Sequence, residues 1–225
     1  MRMKYLFALY AAVFHPKRFF REGTTMLLSR IYGESGNSVT SQSSWIKKTR
    51  IRIAGEDNTV SLNHCDIYNA NILLRGNGHR LIIEDGVTLY NVRIKIIGRN
   101  NIVHIGAGSS MGGGNIICGG TGIPVQIGNR SVIAEGTDIW ASDTHSIFHD
   151  NTLVNQPEPI HIGDNVWIGK DVAILKGVSI GDGAIVGMRS VITHDVPEKT
   201  LVAGSPAKMI RQGVSWSLAN PNNEV

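Results

Sequence analysis

The sequence predicts an all-β protein, a parallel β-helix, on three observations. From Ile162 to Pro197 the chain repeats one six-residue unit: IGDNVW, IGKDVA, ILKGVS, IGDGAI, VGMRSV, ITHDVP. An aliphatic residue opens every unit (Ile162, Ile168, Ile174, Ile180, Val186, Ile192), and Val, Ala or Ser follows four places on (Val166, Val172, Val178, Ala184, Ser190, Val196). Gly, Asp and Asn recur between them, residues that accept positive φ or cap their own backbone at a corner. A period of six fits neither an α-helix nor a flat strand. It requires one short strand and one turn per unit, so that three units close a triangular coil and successive coils stack.

In chain order, residues 1–30 hold six Lys or Arg and one acid, a net +5, interleaved with Leu, Phe and Tyr. The apolar run Tyr5 to Phe14 is too short to span a bilayer, and HPKRFF follows where a signal peptide would carry small residues, which argues against secretion. The expected element is a short N-terminal helical segment that makes peripheral contact with the inner membrane face or packs on the rod. Residues 33–49 read as a polar linker, and the N-terminal unit is drawn over 1–45. The coil domain follows over 46–211. In its first half the repeat loosens to about 22 residues, with segments opening at Asn58, His79 and Asn101, each near a corner at Gly55, Gly76 or Gly98. Each coil therefore carries one swollen corner. The hexad register runs through Ile127, Ile133 and Ile139 and then slips, because Ile139 and Ile162 are not a multiple of six apart. A loop over 144–161 must leave the coil, and Pro157 and Pro159 agree with it. At the far end VAGSPAKMIRQ turns at Pro206 into an expected short cap helix, with a tail over 212–225.

Hydrophobic residues make up 42% of the chain with only five Phe, so small aliphatics must fill each layer. Subtracting the N-terminal +5 from the total +4 leaves the coils near neutral, without a basic stripe, and no nucleic-acid partner is expected. Two cysteines, Cys65 and Cys118, fit a reducing, cytoplasmic setting.

His145 falls six residues after Ile139, in the slot of the next inward aliphatic, as the coil breaks into the loop. A ring there is either held by a structural hydrogen bond or used. Trp167 closes its hexad and points out of the prism, as an interface or binding residue. Trp140 either lines a binding surface or packs between subunits. Cys118 in NIICGG reads as a packed thiol.

The hexads, the DTH segment before a loop, IGDNVWIGKDVAILKGVSIGDGAIVGMRSVIT and VAGSPAKMIR together resemble the left-handed β-helix acyltransferases, most closely those that O-acetylate sugars and bacterial surface polysaccharides. The resemblance implies a homotrimer with acetyl-CoA in the groove between rods, a saccharide acceptor, and a loop histidine as general base, which maps onto His145. Histidine suits that task at neutral pH. Asp143 would orient its ring, with Asp150 as the alternative acid and His149 as the rival base. Trp167 would lie beside the acetyl-CoA and acceptor channel, with Trp140 on the acceptor side. Gly169, Gly187 and Ala203 would border the pantetheine arm, and Lys208 and Arg211 would pair the 3′-phosphate. No metal is expected. The rival readings are a sugar-nucleotide N-acetyltransferase, a serine acetyltransferase, a zinc hydratase needing three convergent histidines, and a non-catalytic scaffold.

Overall fold

The computed structural model describes residues 18–20, 23–33 and 35–218. Its strands form three sheets of 8, 10 and 8 strands, parallel except for the last pair of the second. Apart from the hairpin Phe148–His149/Thr152–Leu153, the chain visits them in turn, one strand per sheet per coil, from Arg18–Phe20 to Val191–Ile192, and its last two strands both lie in the second sheet. The first residue of every hexad and the residue four places on are buried, from Ile162 and Val166 through Ile192 and Val196. Period-2 alternation puts Ile51 and Ile53 inside and Arg50 and Arg52 outside on one strand, and the same pattern fills every layer with small aliphatics.

The swollen corner of the early coils is real. Along the first sheet Val60 pairs Leu81, Leu81 pairs Val103 and Val103 pairs Val125, steps of 21 or 22 residues, whereas Ile162 pairs Ile180. At that corner Gly55, Gly76, Gly98 and Gly120 stack with φ between +108° and +118°. A Cβ on Gly76 would stand 1.9 Å from the Gly98 carbonyl oxygen, so only glycine fits.

Inside the same corner runs a ladder of buried polar side chains. Asn58 donates from Nδ2 to the Gly76 carbonyl at 2.8 Å, and its Oδ1 accepts the His79 N–H at 3.0 Å. His79 Nε2 donates to the Arg75 carbonyl at 3.1 Å while Nδ1 accepts the Asn101 N–H at 3.2 Å, a pattern that specifies the neutral ring. Asn101 donates to the carbonyls of Ile97 (2.8 Å) and Gly120 (3.0 Å) and accepts the Ile123 N–H at 2.9 Å. A widened corner cannot close its own backbone hydrogen bonds, so these side chains satisfy them. His79 is thus a capping residue sealed inside the rod, and burial pushes its pKa down.

Two expectations at the ends are corrected. Among the described residues of the N-terminal segment there is no helix and no linker: Arg18–Phe20, Thr25–Leu27, Arg30–Gly33, Ser38–Gln42 and Trp45–Lys47 are strands of the same three sheets. Ile31, Val39 and Ile46 point inward there, and serines fill the remaining inner places. Ser44 Oγ bonds the carbonyls of Gln42 (3.0 Å) and Leu62 (3.3 Å), so a Ser-rich run that reads as linker is coil. The expected membrane or packing role of residues 1–17 lies outside the described residues. The C-terminal cap is a hairpin, not a helix: Ala207–Gln212 folds back antiparallel on Thr200–Gly204 and extends the second sheet. Among the described residues, no helix is long and apolar enough to cross a membrane.

Candidate active site

The second sheet gathers one group of the sequence-predicted residues. Trp167 pairs Ile185, Ile185 pairs Leu201 and Leu201 pairs Arg211, so Trp167 and Arg211 share one outward column on four adjacent strands. At strand spacings near 4.8 Å the column spans about 14 Å. Beside it Gly169 and Gly187 turn the corner toward the third sheet, donating to the Val186 and Val202 carbonyls at 2.8 Å each. A Cβ on Gly187 would meet the Ala203 Cβ at 2.8 Å, which keeps this edge narrow. Lys208 stands opposite Ala203 in the terminal hairpin and is exposed, as is Arg211. Trp216, assigned from sequence to the tail, returns to this edge. Its ring centroid is 6.0 Å from that of Trp167, and its Nε1 donates to the Asn165 carbonyl at 2.7 Å.

The second group sits at the far edge of the third sheet. Trp140 ends the strand Thr137–Trp140 and is partly exposed, and the loop leaves after buried Ala141 and Ser142. His145 does not take the inward slot: it is exposed, because the coil is abandoned three residues earlier. Thr144, β-branched, holds φ +62°, a costly conformation that aims the chain outward immediately before the histidine. Thr144 Oγ1 lies 3.1 Å from His145 Nδ1. Farther out, Phe148–His149 and Thr152–Leu153 form a hairpin whose two turn residues, Asp150 and Asn151, both have positive φ, as a type I′ turn demands. Asp150 thus belongs to the hairpin turn, 3.6 Å from exposed His149.

Asp143 is brought near His145 without bonding its ring. Its carboxylate is held by the Lys176 ammonium and by Asn155 Nδ2 at 2.8 Å, and the Lys176 bond chiefly holds its pKa below the usual carboxylate range. Asn155 Nδ2 also donates to the His145 carbonyl at 2.7 Å, and its Oδ1 accepts the Ile147 N–H at 2.6 Å. Asn155 and Lys176 are therefore the organisers that sequence reasoning missed. Lys176 was within reach, since Leu175 pairs Trp140 in register. Asn155 carried no local signal, because it closes the loop from ten residues away.

The remaining described histidines serve elsewhere: His64 faces Asp85, His104 faces Glu84, His161 bonds Gln126 at 2.9 Å, and His194 contacts Thr193. Among the described residues, no group of three or more His, Cys, Asp or Glu is placed to hold a metal ion. Cys118 is fully buried and its thiol is pushed up to about 12, which removes it as a nucleophile.

A triangular rod of stacked hexads with a histidine-bearing loop at one corner and a glycine-lined edge at another defines a hexapeptide-repeat transferase scaffold. The bacterial transferase hexapeptide signature of six repeats matches residues 159–194. The polysialic acid O-acetyltransferase of Neisseria meningitidis is 31% identical over 155 residues, covering 66% of this chain and 71% of its own. The chain therefore belongs to the bacterial hexapeptide-repeat transferase family. Among solved structures, the polysialic acid O-acetyltransferase OatWY shares 26% identity with a TM-score of 0.75 over 93% of this chain and 94% of its own. The polySia-specific acetyltransferase NeuO, at 24% identity and a TM-score of 0.72 over 92% of each chain, shows the same fold. Relatives from Staphylococcus aureus reach 44 to 45% identity over 64 to 71 residues, and this chain spans only 32 to 36% of their length.

Proposed function

We propose that this protein is an acetyl-CoA-dependent O-acetyltransferase that moves acetyl onto a hydroxyl of a saccharide, a surface polysaccharide or its precursor, in the cytoplasm. The observation that carries the reading is the separation of the two residue groups. His145 and Trp140 stand at one edge of the third sheet; Gly169, Gly187 and Ala203 line the other, with Trp167 and Lys208 beside them. One chain cannot bring them to a common reacting atom. A threefold assembly of rods can, with the loop edge of one copy set against the glycine-lined edge of the next, and the homotrimer is part of the proposal. The Neisseria relative's acceptor, polysialic acid, supports a saccharide polymer as acceptor here.

In this assembly the small residues at 169, 187 and 203 leave room for the thin pantetheine arm, and Lys208 and Arg211 meet the phosphates at its far end. His145 takes the proton of the acceptor hydroxyl as its oxygen attacks the thioester carbonyl, and returns that proton to the departing thiolate. Asn155 acts as a positioning residue, fixing the backbone on which the imidazole is carried, and Lys176 keeps Asp143 ionised as Asn155's second anchor. The test is CoA release measured against saccharides, amino sugars and serine. Polysaccharide should be the productive acceptor, and His145→Ala should lower kcat on the order of 10² to 10⁴. Full turnover by that variant, or turnover with serine alone, would overturn the assignment.

A further inference from the structure

Trp216 lies outside every repeat, yet the fold brings it to the candidate site. The chain leaves the terminal hairpin at Gln212, and the Val214 N–H donates to the Lys199 carbonyl at 3.0 Å. Lys199, Gly183 and Asn165 succeed one another on the corner between the first and second sheets. There the Lys199 N–H bonds the Asp182 carbonyl at 2.8 Å and the Gly183 N–H the Asp164 carbonyl at 2.9 Å. Trp216 Nε1 donates to the Asn165 carbonyl at 2.7 Å, so residues 214–216 run down this corner across three coils. Val214 and Trp216 are half-buried, while Ser215, Ser217 and Leu218 are exposed. Neither fills the interior of the rod, whose last coil is closed by Val202 and by Ala207 packed against the core. This strap therefore serves the outside of the second sheet, and what it brings there is one indole.

That indole meets Trp167. The ring centroids are 6.0 Å apart and the planes are inclined at 44°, within the tilted geometry that aromatic pairs favour. Asn165 precedes Trp167 by two residues and Gly169 follows it by two, so Trp216 holds Trp167 from the corner side and leaves the side toward the glycine-lined edge open. With Trp216 against it, Trp167 is still 43% exposed. The strand Trp167–Ile168 is only two residues long. Left to itself, an outward indole on it samples several rotamers, and ordering that side chain at each binding event is costly. We infer that Trp216 is a positioning residue for the transfer reaction: it fixes the Trp167 indole in one orientation, facing the glycine-lined edge where donor and acceptor meet. This role rests on the acetyltransferase reading of the site. Of the rod's three corners, the threefold assembly uses the two that border the third sheet. The strap lies on the remaining one, so Trp216 acts within its own chain and from the solvent side.

The experiment compares Trp216→Ala, Trp216→Phe and the control Leu218→Ala in the full chain, by steady-state kinetics with the productive acceptor and by circular dichroism. The exciton couplet of paired indoles reports the contact without any substrate, and it should vanish in Trp216→Ala and in Trp167→Phe alike. Trp216→Ala should lower kcat about two- to tenfold, the scale on which an aromatic pair contributes. KM for acetyl-CoA, set by Lys208 and Arg211, should hold. Trp216→Phe keeps a ring against Trp167 and should recover turnover in part, and Leu218→Ala should match the wild type. In a Trp167→Phe background Trp216→Ala should cost nothing further, because it acts only through Trp167. A strap with a merely structural role would lower the melting temperature and leave kcat of the folded protein unchanged. That result, an additive loss in the double variant, or a loss that Trp216→Phe does not relieve would overturn the assignment. A working enzyme indifferent to Trp216→Ala sinks the positioning role alone; a protein with its couplet intact that transfers acetyl to no acceptor sinks the enzymatic reading and the role with it.

Discussion

Asn101→Ala tests whether the swollen corner depends on its polar ladder. The Asn101 side chain is fully buried and makes three bonds to backbone, to the Ile97 and Gly120 carbonyls and from the Ile123 N–H, at 2.8 to 3.0 Å. Truncation leaves those groups sealed from water without partners, at about 1–3 kcal/mol each. They share one corner and relax together, so the expected total is about 3–5 kcal/mol, a large part of the ~5–15 kcal/mol that holds a domain folded. His79→Asn, by contrast, puts into the ladder the residue type already used at 58 and 101, and should lose no more than about 1 kcal/mol. Guanidinium unfolding followed by circular dichroism reads both. A loss below about 1 kcal/mol for Asn101→Ala, or equal losses for the two variants, would show that the stacked glycines and aliphatics alone define the corner.

Removing Lys208 or Arg211 should raise KM for acetyl-CoA more than for acetyl-dephospho-CoA, with kcat little changed; equal effects on both donors would move the 3′-phosphate elsewhere. Asn155→Ala frees the His145 backbone and the Asp143 carboxylate together, so kcat should fall about tenfold or more while KM for acetyl-CoA holds, and Asn155→Asp should not rescue it beside Asp143. His79 is neutral in the fold and its pKa is depressed, so its contribution is present above the ordinary histidine value of 6.5 and is lost as pH falls below it. Stability measured from pH 7.5 to 5.5 should decline in the wild type and decline less in His79→Asn.

The hexads could be read directly because each inward position is filled by the same residue class at a fixed interval, and Ile162 through Val196 occupy the places the period assigns them. The looser coils were legible as a period of about 22 but not in mechanism: Asn58, His79 and Asn101 look like surface polar residues until register stacks them inside. Ser41 and Ser44 misled for a related reason, since a small hydroxyl that bonds coil backbone fills an inner place as well as valine does. At the candidate site, residue types pointed to His145, Trp140 and Trp167, while Asn155 and Trp216 act through contacts 10 and 51 residues away that no local pattern encodes.

The loop that carries His145 enters and leaves the rod at neighbouring points. Val125 pairs Ile160 and Gln126 pairs His161 as though nothing intervened, although the step is 35 residues rather than 22. An excursion whose ends are already clamped side by side by a sheet can change length at little thermodynamic expense, since closure entropy grows only with the logarithm of the segment. The scaffold and the excursion are thus separable inheritances. Grafting a different loop between Ala141 and Ile160 should leave the rod's unfolding midpoint nearly unmoved while changing which hydroxyl is presented to the site, so acceptor preference can diversify on this scaffold without renegotiating the core.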